Sequence, residues 1–165
     1  MAMEWQRLLS KARVCGGRVC APSEERKAET RRSFEKDYDR IVYSAPFRRL
    51  QNKTQVHTLP NNDHVRNRLT HSLEASTIAR SLGLNIGLWL KHEKGEPVEP
   101  ESVAACVQAA TLAHDIGNPP FGHAGEEAIQ SWFKREDARR NDNGEPALQL
   151  SDAQKEDFFR FDGNP

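Results

Sequence analysis

The run TLAHDIGNPPFGHAGEEAI, residues 111–129, decides how this chain is read. His114 and Asp115 stand side by side, His123 follows nine residues after His114, and Glu126 comes three after that. Imidazole nitrogen and carboxylate oxygen together suit divalent cations of the hard and borderline kind. Val103, Val107, Ala110 and His114 recur at spacings of four, three and four. They therefore share a helix face, and His114 is expected to point into the core from the C-terminal end of that helix. Gly117, Pro119 and Pro120 end the helix directly afterwards. With Gly122 they keep the connection to His123 short and stiff.

Upstream, RNRLTHSLE (66–74) supplies another histidine, His71. A helix is predicted from about Val65 to His92, because Leu69, Leu73, Ile78, Leu82, Ile86 and Trp89 step by three to five residues. Gly83 and Gly87 lie one turn apart in it and would let a neighbouring helix approach closely. KHEKGEPVEP (91–100) reads as the following loop, with Pro100 in the first turn of the next helix. A third helix is expected from about Ala124 to Arg135, with Glu126 and Glu127 in its first turn and Lys134 and Arg135 in its last. That placing of charge matches the helix dipole.

Residues 37–57 have irregular apolar spacing and read as short helical turns, and Pro60, Asn61 and Asn62 as a turn. Residues 136–156 are polar and read as a long surface loop. No alternating run is long enough to predict a sheet, so the fold class is all-α. Residues 1–30, with Trp5, Leu8 and Leu9, a Gly-Gly break and the start of EERKAETRR, read as a peripheral N-terminal arm. Residues 31–165 read as the domain proper.

Composition narrows the function. The chain has 165 residues, so it is one domain or a piece of one. Lys+Arg and Asp+Glu both number 24, which removes any global electrostatic case for nucleic acid or an anionic membrane. Hydrophobic residues make up 36% and mean hydropathy is −0.80, low for a self-sufficient core. Cys15, Cys20 and Cys106 do not make a disulfide framework. Cys15 and Cys20 read as two reduced thiols in a loose segment, and Cys106 fits a buried helix position. With neither a membrane-length apolar run nor a leader-type N-terminus, a cytoplasmic protein is expected.

A lone histidine on an apolar face is more often a satisfied core residue than a ligand. Here that reading must hold for His71 and His114 separately, and it strands Asp115 near the core. Taken jointly, His71, His114 and Asp115 make a three-ligand site for Mn, another transition metal or, with water, Mg. Such an ion polarises a phosphoryl oxygen and lowers the pKa of bound water. His123 and Glu126 are placed for proton transfer, the carboxylate orienting the imidazole. Arg68, one turn before His71, offers a planar charge suited to phosphate.

The pattern of His71 followed by His114-Asp115 resembles the HD phosphohydrolase superfamily. The segments DYDRIVYSAPFRRLQNKTQV (37–56), RNRLTHSLEASTIARSLG (66–83) and TLAHDIGNPPFGHAGEEAI look like deoxyguanosine triphosphate triphosphohydrolases, the dGTPase family. The resemblance covers roughly residues 30–135, and FDGNP (161–165) resembles the next block. It implies an HD-domain helical bundle with His71, His114 and Asp115 as metal ligands. It also implies His123 and Glu126 as the catalytic pair at the α-phosphate, Gln55 on the deoxynucleoside sugar, Arg68 on phosphate and Asn118 at the pocket edge. The implied reaction is attack of water on the α-phosphorus of dGTP or another dNTP, releasing deoxynucleoside and inorganic triphosphate. The resemblance further implies homo-oligomers of the full-length protein, with nucleic acid a partner for which this chain shows no basic patch.

The family's metal site takes one more aspartate from a helix further downstream. Asp137, Asp142, Asp152, Asp157 and Asp162 all fall in polar context and read as solvated carboxylates. The chain therefore reads as an N-terminal fragment whose bundle is incomplete on its C-terminal side. The alternative is a truncated or degenerate HD domain serving as a nucleotide-binding or regulatory module without turnover.

Overall fold

The computed structural model describes residues 4–20, 30–53, 67–141 and 143–163. The chain divides into two compact units, Met1–His114 and Asp115–Pro165. Helices dominate both, in agreement with an all-α bundle.

The first unit opens with a one-turn helix α1 (Trp5–Leu8) and a hairpin, β1 (Arg13–Cys15) paired antiparallel with β2 (Arg18–Cys20). The sequence pattern did not predict this sheet, because three-residue strands are too short to show alternation. Arg13 anchors the hairpin: its guanidinium donates from Nε to Asp37 Oδ1 at 3.2 Å and lies 5.2 Å from the centre of the Phe34 ring. Asp37 and Phe34 belong to α2 (Ser33–Val42), which is followed by α3 (Ala45–Arg49) and a 3-10 turn, Leu50–Asn52. Ser44 caps α3 by accepting the Phe47 N–H, and Pro46 in the first turn has no N–H to leave unsatisfied. The expectation of short helical turns in 37–57 holds as far as the described residues reach, and the turn expected at 60–62 lies outside them.

Two longer helices form the body of this unit, α4 (Arg68–His92) and α5 (Pro100–Ala113). The Asn67 side chain accepts the Thr70 N–H at 2.9 Å and starts α4, a cap worth about 1 kcal/mol. The buried face of α4 is not the stripe of large apolar residues. It is Ser72, Ser76, Ala79, Gly83, Gly87 and Leu90, while Ile78, Leu82, Ile86 and Trp89 are exposed. An α4 apolar on more than one face gives no single stripe to choose from, and the small residues are the ones that admit α5. A Cβ on Gly87 would lie 2.6 Å from Pro100 Cα, and one on Gly83 would lie 2.9 Å from Ala104 Cα. The close approach expected from these two glycines is present, and α5 runs antiparallel to α4 along it.

On α5 the buried residues are Ser102, Val103, Ala104, Ala105, Ala109 and Leu112. Val107 and Ala110, expected on the inward face with His114, are exposed instead. The residues that meet the two glycines are Pro100 and Ala104, with the Val107 Cβ only at the edge of that contact. Leu90, Val98 and Val103 form a small apolar cluster on which Trp5 and Leu9 pack. Cys106 on α5 is half buried, and that burial pushes its thiol pKa up, with Arg13 lowering it and Asp37 raising it by smaller amounts.

The second unit carries α6 (His123–Ala138) and α7 (Asp152–Phe159). The region 136–156, expected to be a surface loop, is more ordered than its polarity indicates. Arg140 and Pro146 form an antiparallel bridge, and the Ala147 N–H donates to the Arg139 carbonyl at 2.9 Å. Ser151 then caps α7 with Gln154 in a reciprocal capping box. Phe133 and Phe158 stack with ring centres 4.0 Å apart, and Lys155 Nζ meets Asp137 Oδ1 at 3.1 Å, so α7 lies along α6. Among the described residues no helix is long and apolar enough to cross a membrane.

Candidate metal centre and acid-base pair

The small-residue groove sets the first half of the site. Because α5 runs back along α4, its last turn returns to the first turns of α4, bringing His114 beside His71. Their rings meet edge to face, 5.3 Å between centres. His114 Nδ1 lies 2.6 Å from the Thr111 carbonyl oxygen. A carbonyl only accepts, so Nδ1 carries the proton and Nε2 is the ring's acceptor nitrogen. The next residue is Asp115, whose buried carboxylate is delivered by the peptide bond itself. One ligand atom from each of His71, His114 and Asp115 lies within 4.8 Å of the other two. Two imidazoles and a carboxylate so gathered fit a divalent transition metal or Mg. Among the described residues no further His, Cys, Asp or Glu joins the group.

The second half is built at the start of α6. His123 is its first residue and exposed, whereas Glu126, one turn later, is buried. His123 Nδ1 donates to Glu126 Oε2 at 2.8 Å. The carboxylate holds the ring in one tautomer, with Nε2 as its other, accepting nitrogen. Glu126 Oε1 accepts the main-chain N–H of Gly163 at 2.9 Å. Both carboxylate oxygens are thus engaged, as a buried carboxylate requires. Just before α6, Phe121 has φ 69° and is 91% exposed. A left-handed conformation is unusual for a bulky residue, and here it turns the chain into α6.

Arg68 is the first residue of α4, half buried and one turn before His71. Asn118, expected at the pocket edge, is buried, and its Nδ2 donates to Asp115 Oδ1 at 3.3 Å. Gln55 lies outside the described residues. Of the five downstream aspartates, Asp137 is paired with Lys155, Asp152 and Asp157 are exposed on α7, and Asp162 is exposed in the turn after it. Asp142 is not among the described residues.

Sequence reasoning missed two groups. The Thr111 carbonyl has the signal of lying one turn before His114. The Gly163 N–H carries no side-chain signal, since any residue but proline offers one. The Ser72 hydroxyl, next to His71 and fully buried, makes no hydrogen bond among the described residues.

The HD domain family profile matches residues 68–157, which spans α4 to α7. A deoxyguanosinetriphosphate triphosphohydrolase-like protein of Pseudomonas aeruginosa is 46% identical over 162 residues, covering 98% of this chain and 34% of the relative. A protein of the same description from Synechocystis is 51% identical over 163 residues, again 98% of this chain and 35% of the relative. A deoxyguanosinetriphosphate triphosphohydrolase of Yersinia pestis is 46% identical over 130 residues, 75% of this chain and 26% of the relative. The chain spans about a third of the length of the curated relatives it matches.

Proposed function

The chain belongs to the HD-domain family, a family of phosphohydrolases, and we propose that residues 31–165 form the N-terminal part of a metal-dependent enzyme acting on deoxynucleoside triphosphates. The products are the deoxynucleoside and inorganic triphosphate. The observation that carries this reading is the convergence of His71, His114 and Asp115 within 4.8 Å. It is supported by the hydrogen-bonded His123–Glu126 pair and by the names of the relatives.

His71, His114 and Asp115 would hold a divalent ion (Mn, Mg or another transition metal), which when bound would supply charge neutralisation at the α-phosphate and acidify water there. Arg68 pairs with a phosphate oxygen through its fixed guanidinium fork. His123, kept in one tautomer by Glu126, takes a proton from the attacking water at Nε2 and delivers it to the departing 5′ oxygen. Gln55 meets the deoxynucleoside sugar, and Asn118 borders the pocket while steadying Asp115. With this reading go a cytoplasmic location and a full-length protein that acts as a homo-oligomer.

The test is incubation of the purified chain with Mn2+ and dGTP, followed by 31P NMR. Inorganic triphosphate, formed by the native chain and lost in His114→Ala, is the expected result. Orthophosphate or pyrophosphate as the phosphorus product would sink the reaction assigned here. Tight dGTP binding with no turnover would replace it with a nucleotide-binding module.

A further inference from the structure

We propose that the turn Phe161–Gly163 is a positioning element for the His123–Glu126 pair, with the main-chain N–H of Gly163 setting the carboxylate that fixes the His123 tautomer. The inference rests on the acid-base role given to that pair above.

The topology places this turn. Helix α7 lies along α6 in the antiparallel sense, so the chain leaving α7 travels back toward the first turn of α6. Two hydrogen bonds fix its path. Gln130 Nε2 donates to the Phe161 carbonyl at 2.9 Å, and one helical turn nearer the start of α6 Gly163 N–H donates to Glu126 Oε1 at 2.9 Å. A carboxylate held on one oxygen only could rotate about its last torsion. Held on both, it presents Oε2 to His123 Nδ1 in a single orientation.

Only glycine fits at position 163. A Cβ there would stand 2.6 Å from Pro119 Cδ, 2.9 Å from Asn118 Cα and 3.0 Å from the Gly117 carbonyl oxygen. The return is equally tight, since a Cβ on Gly117 would lie 2.8 Å from the Gly163 carbonyl oxygen. Main chain therefore rests on main chain between this turn and the one after Asp115. Asn118, on which Gly163 sits, is the residue that donates to Asp115. One glycine thus links the carboxylate of the acid-base pair to the carboxylate of the candidate metal centre. Substitution there moves a hydrogen-bond donor and presses on the Pro119 ring and the main chain at Asn118.

The experiment compares the native chain with Gly163→Ala by 1H–15N correlation of the imidazole rings, which reads the tautomer directly, alongside dGTP turnover. The native His123 is expected to be protonated on Nδ1. In Gly163→Ala the signals should show both tautomers exchanging. The kcat should fall on the order of 10- to 100-fold, the usual cost of losing a group that orients a catalytic one, with KM changed by less than about threefold. Gln130→Ala, which frees the Phe161 carbonyl without a steric clash, should move both readouts the same way by a smaller amount. It keeps the test available if Gly163→Ala does not fold. An unchanged His123 tautomer in both variants would overturn the proposal whatever the turnover. Absence of turnover in the native chain, with the tautomer still dependent on Gly163, would instead fault the catalytic reading and leave the positioning intact.

Discussion

The two halves of the candidate site are held by different forces. His71 and His114 are brought together by packing: Gly83 and Gly87 let α5 lie on α4 with backbone almost touching backbone. The contact is main chain against main chain, and among the described residues the buried Ser72 hydroxyl on the same face of α4 makes no hydrogen bond. The Asp115 and Glu126 carboxylates are held by hydrogen bonds instead, from Asn118 to the first and from His123 and Gly163 to the second. Dispersion and apolar burial are summed over many small contacts and respond to volume. A buried carboxylate responds to the loss of a single donor. The helix pair should therefore tolerate lost polarity and resist added volume, while the turn half should behave the other way round.

The largest effect tests whether the halves meet in one ion site. His71→Ala should weaken Mn2+ binding, measured by calorimetry, by more than about 100-fold, beyond the loss typical of a residue that only orients a ligand. Unchanged affinity would remove α4 from the centre.

Added volume comes next. Gly87→Ala places a methyl group 2.6 Å from Pro100 Cα, and overpacking of this kind costs about 1–3 kcal/mol. A thermal melt should show Tm lower by several degrees, and an unshifted Tm would mean that α4 and α5 are not in close contact.

For the turn half, Asn118→Ala should lower Mn2+ affinity about tenfold with little change in secondary structure by circular dichroism. A variant as avid as the native chain would show that Asp115 needs no donor.

The smallest effect is the opposite of the usual one. Ser72→Ala, deleting a buried hydroxyl that makes no hydrogen bond among the described residues, should leave stability unchanged or raise it by about 1 kcal/mol. Clear destabilisation in urea would reveal a partner for that hydroxyl and blur the contrast between the halves.

Cys106 reports on the packed half from another side. Burial raises its thiol pKa, so at mildly alkaline pH it holds less thiolate than an ordinary cysteine. Above the ordinary thiol range the folded chain keeps this proton longer than the unfolded chain, so this group makes stability fall as pH rises there. Alkylation followed by mass spectrometry should find Cys106 slower than Cys20.

Much of this was readable in the residues. The helices α4, α5 and α6 were predicted within a few residues of their observed ends, because caps, charge placement and Gly/Pro stops act locally. The meaning of Gly83 and Gly87 was readable too, since two glycines one turn apart in an apolar helix leave a groove. The buried face of α4 was not. Periodicity identifies a helix, but where large apolar residues surround it the partner's shape selects the face. The order in 136–156 was missed for a related reason: α7 depends on Phe133 meeting Phe158 and Asp137 meeting Lys155, pairs with no local signature.

The sequence alone determined the all-α class and singled out His71, His114, Asp115, His123 and Glu126 as candidate donors. The class follows from periodicity and local stop signals, and the candidates from side-chain identity and the resemblance their motifs carry. The tertiary structure alone decided that Gly163 closes on Glu126 from 37 residues away. A main-chain N–H or carbonyl is the same at every such residue, so only its place in space gives it a role.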